Sequence, residues 1–461
     1  MPTRTLSPYL DGPVPATFAR TAFPIILLLG LNGLLTVADA ALLGLFVGPA
    51  ALAAVTLVFP AAMLLTALTT MVASGMATLI GQKLGAGQPG EARRVLAGAH
   101  GLGLLVCAAT MAAFAMLGRS LTLALADGSA ELAGMAQSFL GIAVLTAPVA
   151  FALALQSDAL RSEGRVGFMA LAGMLVTLLN LGLNALLIGA MGFGVAGSAW
   201  GTALAQALAL GTILAYRASG RTPLPLRLGP ARDWVAGWRP ILALGAPRSL
   251  SFLGVALGGA AVLAALRLHG GPDQDTTVAA YGVVTRMMTL AYLPLLGLSL
   301  ALQAMVSQSH GAGLAARSQA TLKVALLAAL AYAGLVEAGF VLLRHAIARA
   351  FTDDPVVAVE VARILPFYVA LYVAFGPCLI VAGHLQSLGQ ARRAAILSVT
   401  RTYVFAVPLS LLLPLVWGEP GIWLAQPLAD AGLLIVTGFV LLRRGAGLPG
   451  TNGRLEPLEQ G

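Results

Sequence analysis

Apolar positions in this chain do not alternate with polar ones at the period of a strand; they come in long continuous runs. A helix needs about 20 apolar residues to cross a hydrocarbon core. Runs of that kind recur twelve times, at approximately residues 21–45, 50–80, 95–117, 134–157, 166–190, 194–216, 238–266, 276–304, 319–343, 362–386, 394–417 and 420–442. They are too long and too continuous for the alternating strands of a membrane barrel, which run to about ten residues. The expected fold is an all-α integral membrane protein with 12 transmembrane helices.

Composition supports the same class. Of 461 residues only 10% are charged and 59% are hydrophobic, with a mean hydropathy of +0.90. Such a chain has too little polar surface to cover a globule in water, and its apolar surplus excludes disorder. Cys107 and Cys378 lie inside apolar runs, which suits small core residues and offers neither a disulfide framework nor a metal knuckle. No HExxH, GxSxG, Walker A or kinase motif is present, and the histidines at 100, 269, 310, 345 and 384 are scattered, so no enzyme, cofactor, metal site or ATP-driven pump is expected. The stretch GAGQPG at 85–90 fits GxGxxG, but it follows a membrane helix, so a tight turn explains it better than a dinucleotide site. Met1 to Arg20 is polar with four prolines and does not read as a cleaved signal.

The basic residues give orientation. With the amino end placed inside, charges in the inner connections sum to +15 and those in the outer ones to −3. By the positive-inside rule both termini are expected in the cytoplasm, in an inner membrane. The net charge of +9 is thus topological, and no nucleic-acid partner is expected. Five ionisable residues are left within spans: Asp39, Asp158, Arg286, Glu337 and Asp430. Charge at membrane depth is costly and marks candidate function.

The chain also repeats. Ala53-Ala54 answers to Ala279-Ala280 and Gly85-Ala86-Gly87 to Gly311-Ala312-Gly313, both at an offset of 226. Residues 160–164 (LRSEG) answer to 385–389 (LQSLG) at 225, and Gly197 to Gly421 at 224. Six spans per half return each half to the same side, so the lobes are expected to be related by a pseudo-two-fold along the membrane normal. The expected organisation is an N-terminal segment 1–20, an N-lobe 21–216, a linker 217–237 rich in Pro and Arg, a C-lobe 238–442 and a tail 443–461.

These residues resemble the multidrug and toxic compound extrusion (MATE) family. The matching pieces are Pro24 and VADAALLG (37–44), GQKLGAG (81–87), LRSEGR (160–165), NLGLNALLIG (180–189) and GFGVAGSAWGTALAQ (192–206). The C-terminal half adds GAP (245–247), VAAYGVVTRM (278–287), the GAG at 311 and GIWLAQPLAD (421–430). The resemblance spans residues 20–442. It implies two six-helix lobes around a cavity through which cationic or amphipathic compounds leave the cytoplasm in exchange for inward H⁺ or Na⁺. In one branch the coupling carboxylate is an Asp on the first span, here Asp39, with polar partners that map onto Asn180, Asn184 and Thr202. Asn184 departs from the family, which commonly has Asp there. A second branch uses acids on the seventh and tenth spans, and this sequence has none.

A lone carboxyl in a low-dielectric setting can exchange a proton near neutral pH, which suits Asp39. Asn180 and Asn184 are four apart on one helix face and could bond Asp39, ligate Na⁺ or simply glue helices together. Because both are neutral, H⁺ is preferred over Na⁺. Thr202 and Gln206 repeat the four-residue spacing, and Gln206 falls opposite Asp430 in the repeat; Asp430 could take a cationic substrate or relay protons. Asp158 is expected to pair with Arg161 on its own helix. Glu337 and Arg286, the one base read as deeply placed, could form a structural pair. Tyr281 and Tyr292 could line an adaptable cavity, or merely pack. The expectation is a multidrug antiporter in a lipid bilayer, acting as a monomer on small molecules, with a lipid-linked-precursor flippase as the alternative.

Overall fold

The computed structural model describes residues 8–126, 128–226, 229–269 and 273–445, and among these no strand occurs. Twelve spanning elements follow in order. They are α1 (Val14–Phe46), α2 (Pro49–Gly85), α3 (Pro89–Leu125), α4 (Ala130–Leu145 and Ala147–Ser162), α5 (Val166–Ala190), α6 (Gly194–Ala218), α7 (Trp238–His269), α8 (Gln274–Gly311), α9 (Ala315–Leu342), α10 (Pro355–Val369 and Tyr372–Ser387), α11 (Ala391–Trp417) and α12 (Glu419–Gly445). The first span starts at Val14, seven residues before the expected 21, because Pro13 and Pro15 open the helix and the apolar run carries it past Arg20.

Elements α4 and α10 are each bent by 49° at a break. In α10 the break leaves Leu371 at φ +69°, the sole described non-glycine residue with positive φ. Glu337 of α9 supports it, accepting from the backbone N–H of Leu371 (3.3 Å) and Val373 (2.8 Å). A carboxylate there satisfies amides that a new helix start leaves without partners. The expected pairing of Glu337 with Arg286 is therefore corrected: Arg286 is exposed and makes no ion pair among the described residues.

The repeat is visible in backbone detail. Gly87 and Gly313 both turn the chain at φ +72°, and Gly164 and Gly389 do so at +82° and +80°. In the fifth span of each half, a π-helical segment follows regular helix, at Ala185–Ala190 and at Thr400–Ala406.

The lobes meet at the end that carries Val14 and the two GAG turns. There α2 runs so close to α7 and α8 that backbone touches backbone. A Cβ at Gly75 would sit 2.0 Å from Ile241 O, one at Gly85 2.0 Å from Gln308 O and one at Gly311 1.9 Å from Gln82 O. Small residues permit this approach without side chains to separate the helices. The contact is reciprocal: Gln82 Nε2 donates to Ser387 O (2.9 Å) and Gln308 Nε2 to Ser162 O (2.5 Å), each amide reaching the matching turn of the opposite lobe. Residues 9–12 add a strap across the same end. Arg317 of α9 donates to the carbonyls of Tyr9, Asp11 and Gly12, while the Tyr9 hydroxyl donates to Arg161 O at 2.7 Å.

The segment between the lobes is docked under α3. Trp238 Nε1 donates to Gly98 O (3.0 Å), Leu224 is fully buried, and Arg217 pairs with Glu163 at 2.7 Å with neither side chain exposed.

Candidate functional site

In the N-lobe, α1, α5 and α6 bring the predicted polar residues together. Asn184 Nδ2 donates to Asp39 Oδ1 at 2.8 Å. Asn180, one turn earlier on α5, stands between Asp39 and Thr202. With its amide one way, Nδ2 donates to Thr202 Oγ1 (2.7 Å) and Oδ1 accepts from Asn184 (3.2 Å). Turned over, Nδ2 donates to Asp39 Oδ2 (3.3 Å) and Oδ1 accepts from Thr202 Oγ1 (2.7 Å). Thr202 Oγ1 can also donate to Ser198 O, at 3.0 Å. Asn180 and Asn184 are buried and Asp39 half-buried. A second bridge, Thr177 Oγ1 donating to Asn32 Oδ1 at 2.7 Å, ties α5 to α1 below them. Gly201 makes the site possible, since a Cβ there would lie 2.0 Å from Asn184 Oδ1. Gln206, one turn beyond Thr202, makes no hydrogen bond among the described residues.

The C-lobe holds a different arrangement, which the sequence reading missed. Asp430, 2% exposed, is paired with Arg401, whose Nε donates to Oδ1 at 2.5 Å and whose second nitrogen reaches Oδ2 at 3.4 Å. The acid expected to face a cationic ligand is thus already neutralised. The Arg401 guanidinium lies over the Phe375 ring, 4.5 Å from its centroid. Tyr292 and Tyr372 pack against Phe375 at 6.2 and 5.7 Å. Tyr281 is instead a packing residue, 5% exposed between Tyr368 and Trp423.

At the closed end, the carboxamide of Gln303 on α8 is a hub between the lobes. Its Oε1 accepts from Arg161 (3.0 Å) and Arg248 (3.4 Å), and its Nε2 donates to Thr78 Oγ1 (2.9 Å) and Ser74 O (3.1 Å). Arg161 pairs with Asp158 at 3.0 Å, as expected.

Arg286 is accordingly not the one deep base: Arg161, Arg248 and Arg401 also lie within helices. The signal was in the sequence. Arg248 and Arg401 fall ten and seven residues inside the runs 238–266 and 394–417, whereas the inner sum of +15 includes both with the connections. Moving them inward lowers the inner sum from +15 to +13 against −3 outside, which preserves its sign.

Comparison with known proteins agrees with this architecture. The MatE family profile matches residues 24–186 and 259–412. The chain is 26% identical over 349 residues to multidrug and toxin extrusion protein 2 of Mus musculus, covering 73% of this chain and 57% of that protein. It is 24% identical over 438 residues to the FAD transporter of Shewanella oneidensis, covering 91% and 93%. Its fold matches an outward-facing multidrug resistance MATE family transporter of the MOP superfamily with a TM-score of 0.86 at 22% identity, over 97% of this chain and 99% of that one. With twelve spans in two like-oriented lobes, a polar cluster buried in the first and more than half its length within the family profile, the chain belongs to the MatE family.

Proposed function

We propose that the chain is a secondary active antiporter that exports cationic or amphipathic small molecules in exchange for inward H⁺, coupling through Asp39, Asn180, Asn184 and Thr202. The carrying observation is the 3.3 Å contact between Asp39 Oδ2 and the side-chain amide of Asn180. With Asn180 Oδ1 facing the carboxylate, two acceptors oppose each other. A proton on Oδ2 resolves this, since it donates to Asn180 Oδ1 while Asn180 Nδ2 donates to Thr202 and Thr202 to Ser198 O. Without the proton the amide turns so that Nδ2 meets Oδ2, the Thr202 hydroxyl donates to Asn180 Oδ1, and Asn184 Nδ2 gives up its bond to Asn180 while keeping the one to Asp39 Oδ1. One proton therefore reverses a hydrogen-bond chain that links α1, α5 and α6. Na⁺ suits this cluster less well, because Asn180, Asn184 and Thr202 are neutral and leave Asp39 as the one carboxylate among them.

The charge asymmetry of the connections, +13 for the inner set against −3 for the outer, supports cytoplasmic termini in an inner membrane. With that orientation the end where the lobes meet faces the cytoplasm. The division at 217–237 separates an N-lobe that couples from a C-lobe whose acid is neutralised, and one chain supplies the whole device as a monomer.

The test is ethidium efflux from vesicles under an imposed ΔpH or ΔNa⁺. Asp39→Asn is expected to abolish ΔpH-driven efflux at normal expression. Unchanged efflux in that variant would refute the coupling role, and drive by ΔNa⁺ alone would refute the ion.

A further inference from the structure

Residues 9–12 precede the first span and are not needed to start it, since α1 opens at Val14 behind Pro13. Their polar contacts are nevertheless specific. Nε, Nη1 and Nη2 of Arg317 donate to the carbonyls of Tyr9 (2.7 Å), Gly12 (3.0 Å) and Asp11 (2.7 Å). Three carbonyls converge on one guanidinium because the chain turns at Gly12, where φ is +73°. Pro8 and Pro13 border the strap and limit its freedom before it docks, which lowers the entropy cost of holding it.

These contacts join different lobes. Arg317 is on α9 of the C-lobe, whereas the strap is continuous with α1 of the N-lobe. Tyr9, 2% exposed, is pinned to the N-lobe a second time, its hydroxyl donating to Arg161 O at 2.7 Å. Arg161 then crosses back, its Nη1 donating to Leu300 O and Gln303 Oε1 of α8, both at 3.0 Å. Parting the lobes at this end therefore has to break either the Arg317 bonds or the Tyr9 contact. The Arg317 bonds are the ones that yield. Those to Asp11 and Gly12 are exposed, and Arg317 forms no ion pair among the described residues, so water replaces the carbonyls as they leave. Pulling Tyr9 out would instead bring a buried ring into water.

We propose that residues 9–12 are a releasable latch between the lobes: Tyr9 anchors the strap to the N-lobe at Arg161, Arg317 hooks it to the C-lobe, and the hook lets go each time this end opens. The latch sets how much of the time the end is open, whichever ion drives the cycle and whichever compound is carried.

The test is alkylation of Ser307→Cys by a small maleimide in the purified full chain, with no ion gradient present. Ser307 of α8 is fully buried against Gly81 of α2, so its labelling reports separation of the lobes, and Cys107 and Cys378 are buried. Arg317→Ala is expected to raise the labelling rate about tenfold, the size of one charge-assisted hydrogen bond. Arg317→Lys, which keeps the charge and loses the fork, is expected to raise it less, as is Tyr9→Phe, which removes only the hydroxyl. Deleting residues 2–12 is expected to raise labelling at least as much as Arg317→Ala, and adding Arg317→Ala to the deletion to change nothing further, because both remove one contact. Labelling at the wild-type rate in Arg317→Ala or in the deletion would overturn the latch. A further rise when Arg317→Ala is added to the deletion would also overturn it, since the arginine would then act on something other than the strap. If Arg317→Ala fails to fold, the deletion and Tyr9→Phe decide by the same comparison with the wild type.

Discussion

Replacing Gly85 by alanine tests the seal between the lobes. The added methyl would lie 2.0 Å from Gln308 O and 2.8 Å from the carbonyl carbon, where ordinary contact begins at 3.4 Å. Both atoms are backbone, so no rotamer change relieves the clash, and α2 and α8 have to part by about 3.4 − 2.0 = 1.4 Å. That separation stretches the Gln308 to Ser162 bond from 2.5 Å to as much as 3.9 Å and the Gln82 to Ser387 bond from 2.9 Å to as much as 4.3 Å. Both then exceed hydrogen-bonding range. Each loss strands a buried amide or carbonyl at about 1–3 kcal/mol, so even the lower figure for the pair weakens the seal more than tenfold. The reporter is Ser307→Cys, at a fully buried position against Gly81, alkylated by a small maleimide; Cys107 and Cys378 are themselves buried and give little background. Gly85→Ala is expected to raise the labelling rate at least about tenfold. Gly90→Ala, whose methyl meets nothing within 4 Å, is expected to leave it unchanged. A folded Gly85→Ala protein that labels no faster than the wild type would refute the idea that backbone contact holds this end shut.

Two further outcomes follow from the buried charges. Arg401→Gln strands Asp430 and is expected to lower stability by about 3–5 kcal/mol in thermal melts, while the double variant Arg401→Gln/Asp430→Asn recovers most of the loss; a double as unstable as the single would show that the pair is not the cause. In the turn after α4, burial pushes the Glu163 carboxyl up to about 6 although Arg217 pulls the other way. The native state then holds this proton more tightly than the unfolded chain, so stability falls as pH rises from about 4.5 to about 6, by on the order of 2 kcal/mol. Melting temperature followed across pH 4–7 is expected to lose that slope in Glu163→Gln, and an unaltered slope would exclude Glu163 as its source.

Much was legible in the sequence because hydropathy is local and additive. Twelve apolar runs, their order and the repeat follow from residue type and spacing along the chain, and the four-residue step from Asn180 to Asn184 already places both on one face, whereas their grouping with Asp39 and Thr202 was implied by the resemblance to the MATE family. Tertiary structure decided what spacing cannot express, namely which helix faces which. From sequence Arg401 reads as a loop charge because its neutralising acid, Asp430, comes from the next helix, and Arg248 does so because the amide it touches is on α8. Glu337 had no partner in its own helix, and its role as a cap on α10 exists only because that span breaks at Leu371. The motifs GQKLGAG and LRSEGR could be recognised as strings, but the bond from Gln308 to Ser162 and its mirror image from Gln82 to Ser387 arise only when two lobes close around a pseudo-two-fold. A chain in lipid fixes its spans by transfer energy, residue by residue; its charges and buried amides are fixed by pairing, and pairing belongs to the packed bundle.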